Sequence, residues 1–137
     1  MLLCLVRHEN LEEKFKLSEE RMASYLFKTT HDWFCLVAQD LRDNLLKGFL
    51  TYTPSNINRA FHLSSLIHID HLYVKPESRR DGVGESLIQE LKNRAKNLGA
   101  NRLELWCLIS NEDGNAFYKK LGAEKMDFVN LYRISAG

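Results

Sequence analysis

Arg79-Arg80-Asp81-Gly82-Val83-Gly84 is an R-x-x-G-x-G run lying between a stretch of strand formers and a stretch of helix formers. Backbone N–H groups at a helix start lack intrahelical partners, and the helix dipole adds partial positive charge there. Glycine at 82 and 84 removes side chains, so a pyrophosphate can approach the backbone closely. Arg79 and Arg80 can add charge-assisted contacts. Taken alone, the hexapeptide fits a plain strand-to-helix turn equally well. It is not a G-x-x-x-x-G-K-[ST] loop, and no G-x-G-x-x-G stands early in the chain as a dinucleotide fold requires.

The remaining reactive side chains are less specific. By type alone, Asp70 could simply pair with an arginine, and Tyr118 could be a core aromatic. Asn111 is well suited to cap a helix beginning at Glu112. His68 and His71, three apart on a strand, are expected on opposite faces, which excludes one shared metal ion. Cys4, Cys35 and Cys107 are odd in number, widely spaced and without a C-x-x-C pair. Neither a disulfide framework nor a zinc site is expected. Cys107 is expected in the core.

These groups need elements to position them. Leu2, Leu3, Leu5 and Val6 could end a helix or form a short strand. Ser18 followed by Glu19 and Glu20 predicts a helix start, running to about Phe27. Trp33 to Gln39 and Leu45 to Tyr52 read as a hairpin around the turn residues 40–44. Residues 53–66 read as a loop. Ile67 to Val74 is the next strand, ended by Pro76. Val83, Leu87, Leu91, Ala95 and Leu98 predict an amphipathic helix, with Gly99 beyond its end. Arg102 to Leu108 alternates as a strand. Glu112 to Leu121 is a short helix ended by Gly122, and strands at 123–127 and 129–134 close the chain. The class is α/β with a mixed, mostly antiparallel sheet containing one β-α-β unit.

Size and composition agree with one domain spanning 1–137. Of the 137 residues, 45% are apolar and 27% charged, and the net charge is +1. No basic face is indicated, so no nucleic-acid partner is expected. The run Met1 to Val6 is too short for a leader or a membrane span, so no membrane partner is expected either. Three reduced thiols fit a cytoplasmic setting.

Ile69-Asp70-His71-Leu72-Tyr73-Val74-Lys75-Pro76, followed by Arg79 to Gly84 and a helix, resembles the acetyl-CoA-binding core of the GNAT acetyltransferase superfamily. Asn111 to Ala123 resembles that family's N-x-x-x-x-x-F-Y-x-x-x-G-A segment. Leu11-Glu12-Glu13-Lys14 through Leu36-Val37-Ala38 is similar, more loosely, to the diamine and thialysine acetyltransferase branch. The resemblance implies the GNAT fold, here lacking its first strand, since Met1 enters midway through the family's first helix. That implies a truncated or misassigned start, or a partner chain covering the gap.

The resemblance also implies roles. Leu72, Tyr73 and Val74 would offer backbone groups to the acetyl and pantetheine portions of acetyl-CoA. Arg79, Arg80, Asp81, Gly82, Val83 and Gly84 would hold its pyrophosphate, and Asn111 its pantetheine arm. Tyr118 would protonate the departing sulfur. Asp70 would bind the substrate ammonium or accept its proton, although the diamine branch typically has Glu there. The implied activity is acetyl transfer to a small amine, without a metal, by a homodimer. Two alternatives stay open: acetylation of a protein α-amine or lysine, and an inactive acyl-CoA-binding module.

Overall fold

The computed structural model describes residues 33–55 and 65–137. The expectations for residues 1–32 lie outside the described residues: the Leu2–Val6 run, the helix from Ser18, the absent first strand and the Leu11–Lys14 similarity. Four strands form one sheet in the order β1 (Phe34–Gln39), β2 (Leu46–Ser55), β3 (Ser65–Val74), β4 (Ala100–Leu105). The first three are antiparallel, and β3 pairs with β4 in parallel. Helix α1 (Val83–Asn97) makes the crossover that a parallel pair requires. The expected mixed α/β architecture is therefore present.

The β1–β2 turn forms where the sequence concentrates Asp and Asn. Asp40 accepts from the Arg42 amide at 2.9 Å and from its guanidinium, which holds the carboxyl well below its usual range. Asn44 takes the left-handed conformation, φ 56°, that Asn tolerates. Strand β2 runs through Pro54 to Ser55, where the residue types predict a loop. Proline is tolerated because β1 pairs with β2 only as far as Tyr52, leaving the β1 side of Pro54 without a ladder to break.

The two faces of the sheet differ. Phe34, Leu36, Leu50, Tyr52 and Ile69 share one face by register. Helix α1 covers it, with Arg94 reaching the Tyr52 hydroxyl. Leu87, Ile88, Leu91 and Ala95 of α1 are buried, and Leu50, Ile67 and Leu91 are fully so. Each buried Leu or Ile contributes about 1.5–3 kcal/mol. Gly99, at φ 72°, lets the chain leave α1 and enter β4.

Gly48 of β2 faces Val74 of β3, and a Cβ there would sit 2.5 Å from the Tyr73 carbonyl oxygen. Backbone cannot yield as a side-chain tip can. Gly48→Ala is therefore expected to destabilise the chain by roughly 1–3 kcal/mol, read as a lowered urea midpoint at unchanged slope.

The chain divides into two compact units, one ending at Trp106 and one comprising Cys107–Gly137. The second contains α2 (Glu112–Lys120), capped by Asn111, whose Oδ1 accepts from the Gly114 amide at 3.0 Å. Gly122, at φ 83°, ends it. Residues 123–134 form no strand, contrary to the expected closing pair. Strand-forming residue types are insufficient without a partner ladder, and a lone two-stranded ribbon is at best marginally stable. Strand β4 stops at Leu105, so Cys107 lies beyond it and is half-buried rather than in the core.

Candidate active site

The period of β3 is broken at one residue. Tyr52 pairs with Ile69 and Thr51 with His71, so Asp70 has no counterpart on β2. This is a β-bulge, a device that re-aims side chains. Its consequence is visible in the contacts. Thr51 and Thr53 lie on one face of β2. The Thr51 hydroxyl meets His71 Nδ1 at 2.8 Å, and the Thr53 hydroxyl donates to Asp70 Oδ2 at 2.7 Å. His68 Nδ1 lies 3.0 Å from Asp70 Oδ1. His68, Asp70 and His71 therefore share the face opposite α1. The expectation that the two histidines point apart is corrected: the bulge shifts the alternation by one residue. Their rings have different partners, and no group of three potential metal ligands gathers among the described residues.

This polar stretch is bordered by aromatic rings. His68 meets Trp106 edge-on with centroids 5.2 Å apart, and His71 lies 6.2 Å from Trp33. Phe49 and Tyr73 continue the row at 6.0 Å. Burial lowers the pKa of His71, partly opposed by the nearby Asp70 carboxylate. The unfolded chain then binds the proton more readily than the folded one, so acid favours unfolding. Stability should be constant above the ordinary imidazole value of 6.5 and should fall as pH drops below it, toward the lowered folded pKa. Urea midpoints measured between pH 8 and pH 5 should show this decline, and His71→Asn should flatten it.

The bulge is also where β3 parts from β4. The parallel ladder ends at Ile69–Leu105, whereas β3 continues to Val74. From Asp70 to Val74 the edge of β3 facing away from β2 has no pairing with β4. Leu72, Tyr73 and Val74 all lie on this stretch. Beyond them, Lys75 still pairs with Lys47, and Pro76–Ser78 forms one 3₁₀ turn.

Residues 79–84 then turn the chain into α1. Arg80 and Gly82 both have positive φ, 66° and 78°. Arg79 does not extend freely: its Nε donates to the Val74 carbonyl at 2.9 Å, with the guanidinium 5.9 Å from the Tyr73 ring centre. It ties the turn to the strand end. Arg80, Asp81 and Gly82 are exposed, Val83 is half-buried and Gly84 is buried. No side chain caps α1 at Gly82, and a Cβ on Gly82 would meet nothing within 4 Å. The first turn of α1 thus starts at an exposed glycine with no side-chain cap, and helix starts of this kind suit a phosphate group.

Asn111 and Tyr118 belong to the second unit. Tyr118 is half-buried on α2, its ring edge-on to Phe117 at 5.2 Å. Sequence reasoning missed Thr53, Trp106 and the pairing of His68 with Asp70. The signal was present: Asp70-His71 places two polar residues in succession on an otherwise alternating strand.

Residues 4–123 match the Acetyltransferase (GNAT) family. The chain belongs to that family. This acetyltransferase is 30% identical over 128 residues to the thialysine N-epsilon-acetyltransferase of Bos taurus, covering 89% of this chain and 74% of that one. It is 27% identical over 96 residues to an L-ornithine N5-acetyltransferase of Arabidopsis thaliana, covering 69% and 41%. Among solved structures it resembles an integron cassette protein of V. cholerae, with a TM-score of 0.75, 24% identity, and coverage of 96% and 82%. An aminoglycoside acetyltransferase from an uncultured soil sample, in complex with sisomicin, superposes with a TM-score of 0.72 at 19% identity, covering 98% and 86%. The chain is an N-acetyltransferase. Among the described residues, no helix of this acetyltransferase is long and apolar enough to cross a membrane.

Proposed function

We propose that the chain transfers an acetyl group from acetyl-CoA to a primary amine of a small diamine, polyamine or amino-acid-like molecule. The observation that carries this is the parting of β3 from β4 at Asp70, on the strand that leads into a helix starting without a side-chain cap at an exposed glycine. Acetyl-CoA supplies the activated acetyl thioester. The amides of Gly82, Val83 and Gly84, with Arg80, hold its diphosphate, and Arg79 keeps their turn against the strand. Asp81, exposed in the same turn, completes the segment. Leu72, Tyr73 and Val74 offer backbone groups to the pantetheine arm, and one N–H polarises the thioester carbonyl.

The amine must lose a proton before it attacks, since alkyl ammonium ions have pKa values around 10.4. Asp70 provides the negative charge that draws the ammonium in. Attack on the carbonyl carbon forms the N–C bond, and the C–S bond then breaks. Tyr118 protonates the leaving thiolate, and Asn111 both caps α2 and steadies the pantetheine arm. The relatives that act on thialysine and ornithine support a small amine carrying a second polar group.

We further propose that residues 1–137 are a single acetyltransferase domain acting in a cytoplasmic homodimer. Phe128, Leu131, Tyr132 and Ile134 expose apolar surface of the kind that association covers. The test is a panel of polyamines, lysine analogues, ornithine, aminoglycosides and lysine peptides, followed by CoA release. Turnover of small diamines above peptides is expected. No release above background with any amine would overturn the proposal, and preference for peptides would move the substrate class to proteins.

A further inference from the structure

We infer that His68, rather than Asp70, takes the proton from the attacking ammonium, and that Asp70 is the residue that orients it. This rests on the amine-acetylation reading and deepens it. Both oxygens of Asp70 are engaged, Oδ2 by the Thr53 hydroxyl at 2.7 Å and Oδ1 by His68 Nδ1 at 3.0 Å. A carboxylate bonded on both oxygens is held in place, with its near lone pairs already occupied. An ionised carboxylate only accepts, so the His68–Asp70 contact requires the proton on Nδ1. That fixes the tautomer and leaves the lone pair of the neutral ring on Nε2.

His68 Nε2 is buried and, among the described residues, has no hydrogen-bond partner. A buried acceptor without a donor is destabilising and calls for an explanation. A substrate N–H arriving at this point supplies the missing donor. Trp106 holds the ring edge-on from the end of β4, where the two strands separate. Glu104 is the register partner of His68 on β4 and turns toward Arg102 at 3.9 Å, while His71 is held by Thr51. Arg94 of α1 lies on the other face with Tyr52.

The step balances simply. The ammonium gives one proton to Nε2, leaving the amine lone pair to attack the thioester carbon. His68 later returns that proton to solvent. The second amine proton leaves after the N–C bond forms and ends on the CoA sulfur when the C–S bond breaks. A carboxylate orienting an imidazole that serves as the base is a general arrangement of activated sites.

The test is H68N, whose side-chain amide can still donate to Asp70 but carries no base at the Nε2 position. With the amine that the wild type turns over best, kcat/KM at pH 7 should fall about 100-fold. The deficit should shrink to within a few-fold near pH 10, where a sizeable share of the amine is already neutral. A wild-type-to-H68N ratio constant from pH 6.5 to 10, or no loss, would overturn the inference. Should H68N not fold, 15N NMR of wild-type imidazole decides: an Nδ1-protonated His68 is expected, and an Nε2-protonated ring overturns it. A wild type that turns over no amine overturns the parent reading, and this one with it.

Discussion

Tyr118→Phe is expected to lower kcat by about 100-fold or more while CoA affinity changes by no more than a few-fold. The variant removes one oxygen and keeps the ring, so the edge-on contact with Phe117 remains. It also leaves the backbone of α2 untouched, including the bond from the Ala123 amide to the Tyr118 carbonyl. On the proposed mechanism the variant also removes the proton offered to the leaving sulfur. Without it, a free thiolate must depart, and the tetrahedral intermediate more often expels the amine instead. Steady-state kinetics and calorimetric CoA titration separate the two effects. Weaker CoA binding with unchanged kcat would assign Tyr118 to packing.

Gly82→Val should act on the opposite quantity. Residue 82 has φ 78°, where an ordinary L-residue costs roughly 1–2 kcal/mol and a β-branched one more. Relief of that strain turns the amides of the first α1 turn away from their common focus. Among the described residues a Cβ at Gly82 meets nothing within 4 Å, so the substitution is expected to act through the backbone and through the diphosphate proposed to bind there. CoA should therefore bind at least ~10-fold more weakly, about 1.4 kcal/mol. Gly99→Ala is the control, since φ 72° and open space impose a comparable strain at the far end of α1. It should lower stability and leave CoA affinity unchanged.

Much of the scaffold could be read from residue order because its signals are local. Val83, Leu87, Leu91 and Ala95 repeat at helical spacing, and Gly99 and Gly122 end their helices in the left-handed conformation. Asp40 and Asn44 marked the hairpin turn, and Asn111 caps α2 as its type suggests. What could not be read depends on neighbours distant in sequence. Pro54 is compatible with β2 only because β1 ends opposite Tyr52. The bulge at Asp70 reverses the expected sides of His68 and His71, and it is defined by pairing with Thr51 and Tyr52. Residues 123–134 carry strand-forming types without forming a ladder. The positions proposed to bind CoA were legible as a motif, whereas the His68–Asp70–Thr53 arrangement emerges only from the folded sheet.

Everything proposed for the chemistry presupposes that the turn before α1 grips the diphosphate of the coenzyme. Calorimetric titration of CoA into the purified chain, run beside Gly82→Val and Gly99→Ala, addresses this directly. Saturable submillimolar binding is expected for the wild type and Gly99→Ala, with the loss confined to Gly82→Val. No heat at millimolar CoA, or equal affinity in all three proteins, would contradict it.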